Sequence, residues 1–578
     1  MSPQPPPTAP FALLQDGGRF LLFEAPLATI EARDAAGVRA ALEAADVALA
    51  SGRFVAGFLA YEAAAAFGLT TRPPDPDGPP LVWLGVFDAP RETEPPRADP
   101  SAPVPGAHWE PALDEAGHAR ALARIHERLA RGDTYQVNFT FPLSAPLAEE
   151  PLALFARLLV TQRPRHAALV DLGRFVVVCA SPELFFRRDA GRLTTRPMKG
   201  TAPRGLTVEE DEAQAAGLRE SEKERAENLM IVDMLRSDLG QVAEVGSVEV
   251  PALFEVERYP TLLQMTSTVT ARSRAPLSEI LAALFPCASV TGAPKKRTME
   301  IVAATEAAPR GVYTGAVGWA GPDGTASFGV AIRTVLADRE RGLASFGVGS
   351  GVVADSTAAR EYEECLLKAR ILDAPAFALV ETMAFHPGEG YRRLEGHLAR
   401  LARSARHFAF PLDMRRVEEA LREAASAGSP LRARLVLHAD GRVEVQGGAL
   451  PPAPTRPLRV GIAARPVDPR SVWLHHKTTR REIYDAAVAS RPDCDDVLLW
   501  NDRGELTESS VANVIVEVGG QRLTPPLACG VLPGVERARS IAEGRAREAV
   551  VRLTDLRPGQ RLWLVSSLRG VREARLVG

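Results

Sequence analysis

Apolar and polar positions alternate through RFLLFEAPLATIEA (residues 19–32), a period of two that predicts strands. GRFVAGFLAYEAA (52–64) reads as a strand running into a helix. From Pro111 the spacing changes to that of an amphipathic helix, which runs to about Arg131 and stops at Gly132. Short β-like runs such as RFVVVCA follow, then a long helix over roughly 208–238, more strands, and a helix near 358–371. Residues 89–106 carry too much proline for either periodicity and predict a surface linker or long loop. At ILDAPAF the pattern resets, and Pro375 marks a boundary. Beyond it lie strands (LRVGIAARPV, DDVLLW, VANVIVEV) and a helix, HLARLARSARHF. The expected division is a mobile, Pro-rich N-terminus (1–10), a first body (11–372) and a second (373–578), both mixed α and β without a regular βαβ rhythm.

Composition narrows the function classes. The 578 residues are 46% hydrophobic and 24% charged, as in ordinary globular proteins. A net charge of -3 supplies no global basic field, and aromatics at 6% are not interleaved with a basic patch, which argues against nucleic acid. No apolar run reaches membrane-spanning length, and the N-terminus lacks the features of a secretory signal. Five scattered cysteines without a CxxC fit reduced thiols, so a cytoplasmic location is expected. The 69 basic residues include only six lysines, Lys199, Lys223, Lys295, Lys296, Lys368 and Lys477. Arginine stays charged, so chemistry that needs a free amine must use one of these six.

In the first body, Glu224 with Glu227 and Glu361 with Glu364 form two E-x-x-E pairs. Each pair shares a helix face, and two such faces opposed would make an oxygen-rich Mg²⁺ site. The same spacing equally describes a solvated face paired with arginines. Glu183 and Lys199 fall on what reads as two strands joined by a turn at Asp189–Gly191. Lys199 lies in PMKGT with few neighbours to solvate it, and desolvation makes an amine nucleophilic. Glu183 could protonate a leaving hydroxyl, or simply pair with the lysine at a strand edge. TGAPK is a small-residue bend at a helix start, suited to close approach of an anion.

These segments carry a resemblance. GDTYQVNFT, SPELFF, PMKGTAPRG, KERAENLMIVDMLRSDLG, TGAPKKRTMEI, YTGAVGW, IRT and GSGVVADS occur in the order of the chorismate-utilising enzymes, across nearly all of residues 10–372. The resemblance implies an anthranilate synthase component I-like, chorismate-binding α+β domain. Aminodeoxychorismate synthases resemble PIKGT where anthranilate synthases resemble PIAGT, and this chain has PMKGT. It implies that Lys199 attacks C2 of chorismate as the C4 hydroxyl leaves, with Glu183 as general acid/base, before ammonia adds at C4. It implies Glu227 and Glu364 as Mg²⁺ ligands, with Glu224 and Glu361 beside them. Lys368, Arg333, Tyr313, Thr291, Gly292 and Gly351 would hold the substrate carboxylates. A separate glutamine amidotransferase subunit would supply ammonia. Two departures stand out: Gln264 in QMTS replaces a histidine common in relatives, and LLQD (13–16) replaces the LLES of tryptophan-sensitive anthranilate synthases.

In the second body Lys477 is the sole lysine. LPGVE ends a loop and opens a helix whose N–H groups could cradle a phosphate, and Arg400 could pair with that phosphate bidentately. Glu508, in a Thr-Glu-Ser-Ser turn, is available to a protonated ring nitrogen. Singly these are a surface charge, a turn residue and a surviving lysine; together they are the parts of a pyridoxal phosphate site. The set resembles the fold-type IV (class IV) aminotransferases over about 376–560, a family that includes 4-amino-4-deoxychorismate lyase. The resemblance implies Lys477 as the cofactor-bonding lysine and base, Glu508 at the pyridine nitrogen, and Arg400 with the backbone of Val535 and Glu536 at the phosphate. Branched-chain enzymes resemble Lys-x-x-x-x-Tyr; here that position is Glu482 and the nearest tyrosine is Tyr484. The expected function is therefore a fused synthesis of 4-aminobenzoate, with a homodimer through the C-terminal domain expected from its relatives. Two alternatives stay open: anthranilate or isochorismate synthesis beside an unrelated aminotransferase, or a silent dimerisation module as the second body.

Overall fold

A computed structural model describes residues 9–99, 104, 106–260, 262–425, 428–452 and 454–578. Residues 1–8 of the expected mobile N-terminus, and 100–103 and 105 of the expected linker, lie outside the described residues. The chain forms two compact units, Met1–Pro203 with Ala215–Ala376, and Arg204–Gln214 with Phe377–Gly578. The sequence reading placed residues 204–214 in the first body. In the structure Arg204 forms an ion pair with Asp211 and donates to the carbonyl of His407, so buried polar pairing, which leaves no periodic signature, sets their allegiance.

The first unit holds two ten-stranded antiparallel sheets. Successive side chains point to opposite faces of a strand, which explains how they pack. Phe11–Asp16 pairs with Arg19–Glu24, Phe11 opposite Glu24. Phe11, Leu13, Phe20 and Leu22 face helices Glu115–Ala130 and Pro151–Gln162. Ala12, Leu14, Leu21 and Phe23 point the other way and meet Phe58, Trp83 and Trp319 of the second sheet. Both faces are buried, so hydrophobicity continues through the strand rather than alternating with charge. Outside the second sheet, Ala35–Ala50, Leu277–Leu284 and Glu222–Gly240 close a third apolar layer. Asp34 and Asp114 start two of the helices by accepting the N–H of Gly37 and Gly117, at 2.9 and 2.7 Å.

Two expectations are corrected. The helix expected over 208–238 is two, Val208–Glu220 and Glu222–Gly240, separated at Ser221, whose hydroxyl caps Glu224 N–H. A serine that serves as an N-cap interrupts what periodicity alone reads as continuous. The two-strand hairpin expected to carry Glu183 and Lys199 is three strands: Leu184–Asp189, Arg192–Arg196 and Met198–Pro203. The third pairs with Leu262–Arg272, so Lys199 lies across a strand formed over 60 residues later.

The second unit has a four-stranded antiparallel sheet containing Leu379–His386 and Leu431–Leu437, against which helix Leu394–Phe408 packs. Its eight-stranded sheet is mixed: Leu458–Ile462 runs parallel to both Asp496–Trp500 and Gly570–Leu576. Among the described residues no helix is long and apolar enough to cross a membrane.

The inter-sheet core sets the first unit's stability. Phe23 is fully buried, its ring 6.2 Å from that of Trp319. Phe23→Ala is expected to destabilise this unit by about 3–5 kcal/mol, read as a lower denaturant midpoint in tryptophan fluorescence; an unchanged midpoint would contradict the packing.

Candidate active sites

Lys199 stands on the strand Met198–Pro203 with its side chain 16% exposed. Asn228, on helix Glu222–Gly240, donates to the Lys199 carbonyl at 3.1 Å and accepts from the Ser267 hydroxyl at 2.5 Å. Gln264 donates to the next carbonyl, Gly200, at 2.8 Å. The backbone is thus clamped on both sides while the amine projects toward strand Leu343–Val352. A Cβ placed on Gly351 would lie 2.3 Å from Lys199 Nζ and 2.6 Å from Gln136 Nε2, so this glycine gives the amine its room.

Burial lowers the Lys199 pKa, opposed chiefly by Glu227, whose Oε2 is 3.9 Å away; Lys368 adds to the lowering, and Glu364 and Glu224 oppose it. Glu183 is buried, with Oε1 lacking any hydrogen-bond partner. Burial pushes its carboxyl up to about 7, against the Ser289 hydroxyl, the Met198 N–H and Lys199, which favour the ionised form. An amine made less basic beside an acid made weaker is a nucleophile–proton donor pair.

The carboxylates are arranged differently from the expected cage. Glu224 and Glu227 both act on Lys199, and burial raises the Glu227 pKa, with Glu224 adding to it. Glu364, on helix Ala358–Ala369, is held by Lys368 at 2.8 Å, and burial, which would raise its pKa, is outweighed by that ammonium. Glu361 sits one turn earlier. Among the described residues no three His, Cys, Asp or Glu side chains gather closely enough to hold a metal. Glu227, Glu224 and Glu364 share the field of one amine, but lysines, rather than one another, are the partners of Glu227 and Glu364.

Three of the expected substrate-holding residues, Gly351, Lys368 and Tyr313, follow strand Leu343–Val352, whereas Thr291, Gly292 and Arg333 lie off it. Lys368 donates to the carbonyl of Gly349 at 2.7 Å. The Tyr313 ring lies against Gly347, four residues or about 13 Å along the strand from Gly351. It also lines a cavity of about 800 Å³ that reaches Arg310 and Phe139 and does not include Lys199 or Glu183. Thr291 is buried and bonded to the carbonyl of Ala288 at 3.1 Å, and Gly292 packs on the Gln136 carbonyl. Arg333 has φ +50°, a left-handed conformation uncommon for a side-chain-bearing residue. Among the described residues it has no carboxylate partner; Tyr259 lies beneath it at 5.8 Å, and burial lowers its pKa. Arg333 is half-buried and donates only to the neutral Gln162 Oε1, at 3.4 Å, so its guanidinium could pair with a carboxylate.

In the second unit a cavity of about 320 Å³ collects Lys477, Arg400, Glu508, Val535 and Glu536. Burial, reinforced by Arg400, brings the Lys477 ammonium down to about 8. Burial also pushes Glu508 up to about 7, although the Tyr484 hydroxyl donates to Oε1 at 2.8 Å, and Asn513 Nδ2 and the Leu532 N–H to Oε2 at 2.8 and 3.3 Å. A carboxylate fixed in this way suits a protonated ring nitrogen.

The expected bidentate use of Arg400 is corrected. Its Nε and Nη2 grip Glu381 at 2.8 and 2.7 Å, leaving Nη1, 3.3 Å from the carbonyl of Pro533, to face the Gly534–Val535 turn. Burial would raise the Glu381 carboxyl, but Arg400 and His397 hold it at about 2. The Glu536 side chain is taken by Arg393 and by Arg545 at 3.3 Å, so only its backbone is available to a phosphate. Gly534 is obligatory there, since a Cβ would fall 1.7 Å from Asn513 Oδ1. Sequence reasoning missed Gln136, Asn228, Ser289, Glu381 and Asn513. Gln136 and Asn228 lay inside recognised segments and Asn513 inside an expected strand; Ser289 and Glu381 carry no local signal, because their partners are distant in the chain.

Comparison with known proteins places this arrangement. Residues 15–373, well over half of the chain, match the model of the chorismate binding enzymes. The protein belongs to that family, and it carries a class IV aminotransferase domain at residues 378–577. It is 42% identical over 311 residues to an aminodeoxychorismate synthase of Streptomyces griseus, covering 52% of this chain and 42% of that one. It is 40% identical over 291 residues to an anthranilate synthase component 1 of Haloarcula marismortui, covering 50% and 59%. The chain spans about half the length of these curated relatives. Anthranilate synthase component I of Streptococcus pneumoniae TIGR4 shares the fold, with a TM-score of 0.55 and 23% identity over 64% of this chain and 94% of that one.

Glu183 couples the first site to stability. Its carboxyl ionises near 4.5 when ordinary and near 7 when buried, so its contribution is complete below 4.5 and is lost as the pH rises through 7. Glu183→Gln is expected to stabilise the first unit at pH 8 by on the order of 3 kcal/mol and to have little effect at pH 4. Denaturant titrations at the two pH values check this; equal differences at both would show that burial does not control the group.

Proposed function

We propose that the chain makes 4-aminobenzoate from chorismate in two consecutive steps, one in each unit. The observation that carries the reading is the Lys199 amine, desolvated, aimed at Gly351 and flanked by the buried acid Glu183. Relatives named for either aminodeoxychorismate or anthranilate synthesis match the first unit, so the family alone does not choose the product; a nucleophilic lysine at this place does.

In the first step Lys199 Nζ bonds to C2 of chorismate, the ring double bonds shift, and the C4 hydroxyl departs as water with a proton from Glu183. Ammonia then bonds at C4, the double bonds return, and the C2–N bond breaks to release Lys199 and 4-amino-4-deoxychorismate. Arg333 and Lys368 would hold the substrate carboxylates. Carboxylates are the hard oxygen donors that Mg²⁺ requires. Glu227 and Glu364, drawn from their present lysine partners, would hold the ion, with Glu224 and Glu361 beside them, and it would offset the charge of the substrate dianion. A separate glutamine amidotransferase subunit would supply the ammonia.

In the second step the cavity around Lys477 fits pyridoxal phosphate: an amine of lowered pKa, a fixed buried carboxylate, and a Gly534 turn closed to any Cβ. Lys477 would bond the cofactor aldehyde, Glu508 would face its ring nitrogen, and Arg400 Nη1 with the Val535 and Glu536 N–H groups its phosphate. When bound, the cofactor supplies an electron sink for the carbon bearing the substrate amine. Lys477, as the free amine, would remove the C4 proton, and the enolpyruvyl group would leave as pyruvate while the ring becomes aromatic. The intermediate divides into 4-aminobenzoate and pyruvate with no oxidant or reductant.

A single mixture of enzyme, chorismate, Mg²⁺, ammonium and pyridoxal phosphate tests both steps. Equal amounts of 4-aminobenzoate and pyruvate are expected; anthranilate as the product would overturn the assignment. Lys199→Ala is expected to give neither product, and Lys477→Ala to accumulate 4-amino-4-deoxychorismate. A metal chelator is expected to stop consumption of chorismate while leaving pyruvate release from added intermediate intact.

A further inference from the structure

The lining of the second unit's cavity is strongly one-sided in charge. Among the described residues, six arginines and Lys477 meet there with two carboxylates, Glu508 and Glu536. Neither carboxylate can serve the arginines at the mouth: Glu508 is occupied by Tyr484 and Asn513, and Glu536 by Arg393 and Arg545. Arg400 is already neutralised by Glu381. Arg480 pairs with Glu482 at 2.7 Å, and Arg481 lies 3.7 Å from Asp485.

Arg432, Arg434 and Arg569 remain, and among the described residues none has a carboxylate within ion-pair distance. Arg432 and Arg434 stand two apart on strand Leu431–Leu437 and so project from one face. Arg434 donates only to the neutral Gln446 Oε1, at 3.3 Å, and Arg432 lies against Gly448. Arg569 comes from the turn between strands Arg561–Ser566 and Gly570–Leu576. Like charges gathered from two separate elements repel unless an anion joins them. The phosphate region, at Gly534 and Val535, is a different part of the cavity lining.

We infer that Arg432, Arg434 and Arg569 select an amine substrate bearing two carboxylates, rejecting amines with one. This deepens the proposed lyase reading and rests on it, since 4-amino-4-deoxychorismate is such a dianion. Guanidinium forks match carboxylates bidentately, so each lost arginine should raise KM more than it lowers kcat.

The test uses the full chain carrying Lys199→Ala, saturated with pyridoxal phosphate and given 4-amino-4-deoxychorismate. Pyruvate release is followed for parent, Arg434→Gln, Arg432→Gln, Arg569→Gln and Arg434→Lys. The expected result is a KM at least tenfold higher in the Gln variants, kcat within about threefold, partial rescue by Lys, and a parent KM that rises with salt. An unchanged cofactor absorption band shows that the variants keep a folded site. An unaltered KM in all three Gln variants overturns the inference while leaving the lyase reading standing. If the parent releases no pyruvate, the lyase reading fails. The inference is then judged by the cofactor band on adding L-aspartate or L-alanine: a tenfold preference for the dicarboxylate that Arg434→Gln removes supports it, and equal responses overturn it.

Discussion

The constraint on which both sites depend is the removal of a lysine amine from water. An ammonium is strongly hydrated, and a fold that encloses one must either pair it or lower its basicity. At Lys199 the nearest carboxylate oxygen, Glu227 Oε2, stays 3.9 Å away, beyond hydrogen-bond length. At Lys477 the competing cation Arg400 is held close, and Glu508 is occupied by other donors. At Lys199 Glu364 is held by Lys368 and Glu227 stays beyond hydrogen-bond length, and at Lys477 Glu381 and Glu508 are committed to other donors. Reactivity at both positions follows from this withheld pairing, and the surrounding polar contacts make sense as the means of withholding it.

Holding an amine in that state requires a rigid backbone. Lys199 sits on a strand clamped by Asn228 on one carbonyl and Gln264 on the next, with its amine over the Cβ-less face of Gly351. Helix Glu222–Gly240, which provides Asn228, is itself fixed by Ile231, Val232, Leu235 and Leu239 in the outer core. The chain from hydrophobic repeat to nucleophile is therefore short. One face of the helix buries apolar residues, and the next turn around presents Asn228 and Glu227 to the strand.

Much of this was legible in the sequence, because strands buried on both faces and ordered motifs leave local traces. Phe175–Ser181 follows from its apolar run and Leu394–Phe408 from its periodicity. The scarcity of lysine also pointed inward: Lys199, Lys368 and Lys477 lie in the candidate sites, while Lys223 and Lys295 pair with Asp355 and Asp238. What could not be read was pairing between distant residues. Glu381 captures two donors of Arg400, Lys368 captures Glu364, and residues 204–214 join the second unit through Asp211 and His407. Spacing says which side chains share a face, but not which opposite charge reaches them first.

Glu183 and Glu508 show why burial alone does not define a role. Burial raises both to about 7, so their proton affinities coincide. Their surroundings do not. Oε1 of Glu183 has no hydrogen-bond partner, so that oxygen is open to pass a proton to a leaving group. Both oxygens of Glu508 are held by three donors from Tyr484, Asn513 and Leu532. Those donors favour the ionised form, and a cation set against that carboxylate would favour it further. A proton donor must be loosely bound to release what it carries, whereas a counter-ion must be fixed to orient what it faces. The same shift in acidity thus supports opposite tasks, and the hydrogen bonds around each carboxylate decide which one it can perform.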